Sequence, residues 1–175
     1  MRRIAFALPL LLVACAGRHG RDGLALFPKG SETRTFFEKC PHNTYKDVPT
    51  WFCDTTETFG LVERDKPRSH EDEVKAYVLY DEGKSGAYKG KLSATLAGTL
   101  QGMEFSTLGF EDKPLPSGAP NQWIVFLGTQ TMPDGTGITV WCSIIASEVN
   151  NIGTVRQCHT GMKHLRDTLL SVHGR

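Results

Sequence analysis

Hydrophobic positions fall into three kinds of pattern along the 175 residues. One apolar run, Ile4 to Ala14, lies near the start of the chain, several later segments alternate apolar and polar, and the last segment repeats at helical spacing. Alternation predicts strands, because successive strand side chains point to opposite faces of a sheet. Thr50–Phe59 is dense in Thr and aromatics and reads as a strand. Val74, Ala76, Val78 and Tyr80 share one parity, so Val74–Tyr80 reads as another, and Glu104–Phe110 alternates likewise. Gln122–Thr131 and Gly137–Val149 are β-rich runs joined by Met132-Pro133-Asp134-Gly135-Thr136. Pro followed by Asp-Gly supplies the backbone angles of a tight connection, so these two runs predict a hairpin.

Two segments pull both ways. In Lys91–Met103, Leu92, Ala94, Leu96, Gly98 and Leu100 alternate, yet Leu92, Leu96, Leu100 and Met103 also fit one helical face. Its length decides for a helix. Thr33–Cys40 is a short strand or a single helical turn. Asn150, Asn151 and Gly153 form a turn that leads into a third strand at Thr154–Cys158. At the end, Met162, Leu165, Leu169 and Val172 recur at i, i+3, i+7 and i+10, Thr160 stands where a cap belongs and Gly174 follows. Thr160–His173 is therefore an amphipathic helix that covers the sheet. Strands without regular βαβ alternation, closed by a helix, give an α+β domain with an antiparallel sheet.

The opening run changes the domain plan. Arg2 and Arg3 precede eleven apolar residues interrupted by Pro9, a length of roughly 16 Å as helix against the ~30 Å of a hydrocarbon core. This layout, eleven residues with Pro9 among them, is that of a secretory signal peptide rather than a permanent span. It ends Leu12-Val13-Ala14-Cys15, which resembles the lipobox of bacterial lipoproteins. The resemblance covers residues 1–17 and implies cleavage before Cys15, diacylglycerol on its sulfur and an acyl chain such as palmitate on its new amino group. Two or more acyl chains hold a protein stably at a membrane, at about 0.8 kcal/mol per buried CH₂. Ala16 follows the cysteine, where an aspartate would resemble an inner-membrane retention signal. The expected address is thus the periplasmic face of the outer membrane. The expected organisation is a signal peptide at 1–14, a lipidated tether at 15–30, and one periplasmic domain at 31–175. The tether is rich in Gly and charge, with Leu24, Leu26 and Phe27 docking at its end.

Composition then narrows the function classes. Of 20 basic and 19 acidic residues, the leader holds Arg2 and Arg3, so the remaining chain is nearly balanced. That balance, with an exported address, argues against nucleic acid. With Cys15 given to lipid, Cys40, Cys53, Cys142 and Cys158 remain, an even set that reads as two disulfides in an oxidising compartment. Of the three pairings, Cys40–Cys53 with Cys142–Cys158 is favoured, since each closes a short loop worth about 3 kcal/mol.

Candidate chemistry is sparse. Cys158-His159-Thr160-Gly161-Met162 holds the residue types of a copper site, but adjacent Cys and His cannot both turn onto one ion, and a disulfide at a helix start explains the segment. His70-Glu71-Asp72-Glu73 lacks the spacing of H-E-x-x-H or of an EF-hand loop. It reads as a solvated loop or strand edge able to face a cation or a basic partner. There is no G-x-S-x-G, and Ser85, Ser93, Ser106, Ser143 and Ser147 stand beside no recognisable partner set. No cofactor or metal is expected, and no catalytic residue is assigned.

Two basic surfaces are candidates for binding. Lys84, Tyr88, Lys89 and Lys91 sit in a Gly-rich loop that is similar to the S-G-x-x-Y signature of lipoprotein inhibitors of C-type lysozyme. It departs by one residue, Tyr88 standing three after Ser85 rather than four. Lys163, His164 and Arg166, with Arg175 beyond, form a basic side of the last helix suited to anionic head groups or to water. The expected function is a non-catalytic binding protein, tethered to the membrane by its N-terminal lipid, that holds a periplasmic protein partner, as an immunity or inhibitor protein holds an envelope-targeting toxin. An assembly accessory of an envelope machine and a small hydrolase or metal protein are the alternatives.

Overall fold

The computed structural model describes residues 23–45, 48–53, 57–83 and 91–174. Its strands are β1 His42–Tyr45, β2 Val48–Cys53, β3 Glu57–Arg64, β4 Lys91–Leu100, β5 Met103–Asp112, β6 Asn121–Thr131 and β7 Gly137–Ile145. The helices are α1 Glu32–Phe37, α2 His70–Gly83 and α3 Ile152–His173. All strand pairs are antiparallel, in the order β1-β2-β3-β7-β6-β5-β4. The fold is α+β, with the C-terminal helix packed on the sheet and two disulfides, Cys40–Cys53 and Cys142–Cys158. The pairing favoured from short loops is the one formed.

The period-2 pattern sorts β7 cleanly. Ile138, Val140, Cys142 and Ile144 are buried on one face beneath α3, while Thr139, Trp141 and Ser143 face α2. On the α3 side, Met162, Leu165 and Leu169 meet Phe59, Leu61 and Phe126 in the larger core. Cys158, one turn before Met162, bonds to Cys142 across a Cα separation of 5.7 Å. Gly161 allows the closest approach: a Cβ there would lie 2.4 Å from the Phe59 ring. An aromatic group of Phe27, Phe36, Phe37, Trp51 and Phe59 fills the space beside α3, with ring centroids 4.8–5.9 Å apart. Phe27 follows a 3-10 turn at Gly23–Leu26, and Arg34 donates to the carbonyls of Leu24 and Phe27. The expected docking of Leu24, Leu26 and Phe27 is what the fold contains.

Several elements differ from expectation. Val74–Tyr80 is helix α2, because Val74, Tyr77 and Val78 also fit i, i+3, i+4 and pack on Leu108, Phe110, Val125 and Leu127. Lys91–Met103 is strand β4 followed by a two-residue turn, in which Gln101 and Gly102 take φ of 51° and 87°. Positive φ at both positions matches the twist of a hairpin, so Gln-Gly acts as Asn-Gly does elsewhere. Thr50–Phe59 divides between β2 and β3, and residues 54–56 lie outside the described residues. Thr154–Cys158 is not a third strand. Asn151 caps a helix that begins at Ile152, its side chain accepting from the Gly153 and Thr154 amides at 3.0 and 3.4 Å. Thr33–Phe37 resolves as helix, capped by Ser31.

The contact at Gly161 is testable. Gly161→Ala improves helix propensity by about 1 kcal/mol, yet its methyl must displace Phe59 or lift α3 from the sheet. A net loss of about 1–3 kcal/mol is expected from overpacking, read as a lower urea midpoint with the disulfides intact. An unchanged or higher midpoint would show that α3 does not lie this close.

Candidate functional site

Beneath the N-terminal end of α2 lies a cleft of about 320 Å³, lined by Arg64, Arg68, His70, Glu73, Glu104 and Thr129 among others. Its walls follow from strand parity. Glu104, Ser106, Leu108 and Phe110 of β5, and Trp123, Val125, Leu127 and Thr129 of β6, face α2. Ser106 and Thr129 are therefore polar residues at positions where their neighbours are core. Each must find a buried partner or lose the hydration of its hydroxyl.

His70 is that partner for both. Its Nδ1 lies 2.8 Å from Thr129 Oγ1 and its Nε2 2.8 Å from Ser106 Oγ. A neutral imidazole donates from one nitrogen and accepts at the other, and hydroxyls complement either tautomer. Burial holds the His70 pKa below its ordinary 6.5, with Glu104 pulling the other way. The ring stands at the first residue of α2. Ser69 precedes it as cap: its hydroxyl accepts from the Asp72 amide at 3.1 Å and donates to the Asp72 carboxylate at 2.8 Å.

One turn on, Glu73 is buried and Arg64 clamps it from β3, with Nε and Nη2 at 2.6 and 3.3 Å from its two carboxylate oxygens. Arg68 approaches the same carboxylate at 4.0 Å and keeps half its side chain in solvent. His70-Glu71-Asp72-Glu73 is thus the first turn of a helix and not the solvated loop or strand edge expected, and its last acid is a structural partner of Arg64. Behind that ion pair, on the other flank of α2, runs a groove of about 140 Å³ formed by Val48, Val62, Ala76, Tyr77 and Trp141. Trp141 lies flat across Gly60, where any Cβ would fall 2.2 Å from the indole.

The other residues singled out from the sequence fall elsewhere. Lys84, Tyr88 and Lys89 lie outside the described residues, and Lys91 is the first residue of β4. Cys15 lies outside them too. Cys158 is held in its disulfide, and His159 packs edge-on against Phe105 and Phe126 at 5.7 and 5.1 Å. Burial lowers its pKa as well. On the basic side of α3, Lys163 and Arg166 both pair with Asp167, Arg166 also donates to the Gln101 carbonyl, and the His164 carbonyl accepts from Thr33 at 3.2 Å. These contacts tie α3 to the β4–β5 turn and to α1. Among the described residues no group of three His, Cys, Asp or Glu converges as a metal site.

Sequence reasoning missed the cluster of His70, Ser106, Thr129 and Arg64. One signal was available: Ser106 precedes Leu108 and Phe110 on the same parity of β5, which places a hydroxyl at the border of an apolar face, where it needs a partner. His70 as that partner depended on α2 being a helix. No protein-family model matches the chain. A search of curated proteins likewise finds none that matches.

Histidines set the expected pH dependence. His173, at the end of α3, places Nδ1 2.7 Å from Asp134 and Nε2 2.9 Å from Glu63. Burial opposes its charge, but the hydrogen bonds to the two carboxylates outweigh it and raise the pKa above 6.5. Its stabilising contribution is complete below the unfolded pKa and disappears as pH rises through the folded one. His70 and His159 have depressed values, so the unfolded state binds their protons first and stability falls as pH drops below 6.5. Denaturant midpoints between pH 5 and 8 are expected to peak near pH 6.5. His173→Gln flattens the alkaline limb and His70→Gln reduces the acid one; a midpoint that rises steadily through pH 8 contradicts the pairing of His173.

Proposed function

We propose that the protein is a lipid-anchored, non-catalytic binding protein of the bacterial periplasm. It holds or blocks a protein partner, in the manner of an immunity protein against an envelope-targeting toxin. The observation that carries the reading is Leu12-Val13-Ala14-Cys15 after a basic and apolar leader. The complete pairing of the other four cysteines supports it, because two disulfides suit an oxidising compartment.

Binding is favoured over catalysis by how His70 and Ser106 are employed. The Ser106 hydroxyl lies on a strand inside the sheet, 2% exposed, and the third member of the group is Thr129 rather than a carboxylate. A serine nucleophile needs an open face and an orienting acid behind its base. Here both ring nitrogens are spent on fastening α2 to β5 and β6. What remains open to a partner is the polar cleft around Arg68 and Glu104 and, beyond Arg64–Glu73, the apolar groove by Tyr77. A protein loop with both polar and apolar groups spans the two.

Two experiments test the reading. Cys15→Ser is expected to move the protein from the membrane fraction to the soluble one. Retention in the membrane with the leader removed would contradict lipid anchoring. A deletion strain grown beside toxin-armed sister cells is expected to die. The wild-type gene should restore survival, and Arg68→Ser/Glu104→Ser should restore it at least tenfold less well at equal protein level. Unimpaired survival of the deletion strain, with the protein co-purifying in a large envelope complex, would replace the immunity reading with the assembly one.

A further inference from the structure

The polar cleft at the start of α2 holds charges that do not all cancel within the fold. Arg64 and Glu73 occupy each other through two hydrogen bonds, and both nitrogens of His70 are spent on hydroxyls. Arg68 meets only the carboxylate that Arg64 already clamps, at 4.0 Å, and half its side chain stays in solvent. Glu104 is exposed and has no hydrogen bond or ion pair among the described residues. The cleft of about 320 Å³ therefore presents one spare cation and one spare anion, which do not pair with each other.

The cleft floor carries a third open group. Glu104 of β5, Thr129 of β6, Thr139 of β7 and Val62 of β3 are successive register partners and form one row on the α2 side of the sheet. Thr129 is taken by His70. Thr139 is 5% exposed and lines the cleft, and its hydroxyl makes no hydrogen bond among the described residues. A buried hydroxyl without a partner forfeits its hydration, and a ligand that bonds to it restores the loss. Adjacent strands lie about 4.8 Å apart, so the backbones of Glu104 and Thr139 stand roughly 10 Å from each other across the floor. The chain that carries Arg68 is held against β7, because Pro67 packs on Gly137, where a Cβ would fall 2.6 Å from the Pro67 Cα.

We propose that this cleft binds a small zwitterion, an amino acid or a dipeptide, with its carboxylate on Arg68 and Thr139 and its ammonium on Glu104. A ligand of single charge leaves one of the two protein charges unmatched, and a neutral one leaves both. Burial keeps the His70 ring neutral, so it adds no competing charge. The volume stands at the lower end of the ~300–1,000 Å³ of ligand sites, which limits the ligand to about this size. The zwitterion fills the polar half of the surface proposed for the protein partner, yet its binding is read on the protein alone and does not depend on that partner.

Titration calorimetry of the full-length protein, purified in detergent and dialysed free of amino acids, tests this with L-alanine and L-alanyl-L-alanine. Each probe is compared with its N-acetyl form, which keeps only the carboxylate, and its amide form, which keeps only the ammonium. Saturable binding of at least one zwitterion is expected, with both blocked forms at least tenfold weaker. Tighter binding of alanine identifies free amino acids as the source, and tighter binding of the dipeptide identifies peptides. Arg68 and Glu104 are exposed, so their variants keep the fold. Arg68→Ser is expected to bind the zwitterion no better than the amide form, and Glu104→Gln no better than the acetyl form. Thr139→Val keeps the side-chain shape and is expected to weaken binding about two- to tenfold, the worth of one hydrogen bond. No binding of either zwitterion, a blocked form bound equally well by the wild type, or unchanged affinity in any of the three variants overturns the proposal.

Discussion

Helix α3 lies so close to the sheet that position 161 has no space for a side chain, and most of the molecule is arranged around that contact. Phe59 fills the place a Cβ would take. Cys142 and Cys158 fix the same approach covalently, and Met162, Leu165 and Leu169 continue it along the helix. Thr33 and Thr168 bond hydroxyl to hydroxyl at 2.9 Å, so α1 is carried on α3. Through Phe37 and Trp51 the same core reaches the Cys40–Cys53 bridge and the incoming chain at Phe27. The register of β3 and β7 is thereby tied to the position of a helix much later in sequence.

The opposite face is held differently. Helix α2 covers a smaller core of Leu108, Phe110, Val125 and Leu127 and has no disulfide. Polar contacts fasten its N-terminal end: His70 on Ser106 and Thr129, and Glu73 on Arg64. A bond network of this kind specifies position well but contributes less than apolar burial when exposed to water. With the smaller core and no disulfide, the α2 face is the one expected to open at lower free energy. The cleft and groove lie on that face, so the proposed contact surface sits on the more adaptable side of a braced scaffold.

Much of the fold was legible where pattern and length agreed. The hairpin of β6 and β7 was marked by its turn residues, and the last two-thirds of α3 by helical spacing. The cysteine pairing followed from short loops. Misreadings arose where one segment satisfied two periods. Val74, Tyr77 and Val78 serve a helix as well as Val74, Ala76 and Val78 serve a strand, and only packing against β5 and β6 decides. Leu92, Leu96 and Leu100 are spaced by four, a multiple of both the strand period and roughly the helix turn. The Gln101-Gly102 turn settled the matter for strand, and its chemistry is a weak form of the usual hairpin signal. The site was hidden for a related reason: a serine on β5, a threonine on β6 and a histidine at the start of α2 converge only once α2 is helical.

The sequence leader and the fold bear on one central claim, that Cys15 serves lipid while the remaining cysteines brace the domain. The mass of the protein recovered from membranes tests it most directly. After denaturation without reductant, no thiol is expected to alkylate. After reduction, four alkyl groups should appear, on Cys40, Cys53, Cys142 and Cys158, with an N-terminal peptide that begins at Cys15 and carries acyl chains. An alkylated Cys15, or a peptide that retains residues 1–14, would contradict the account.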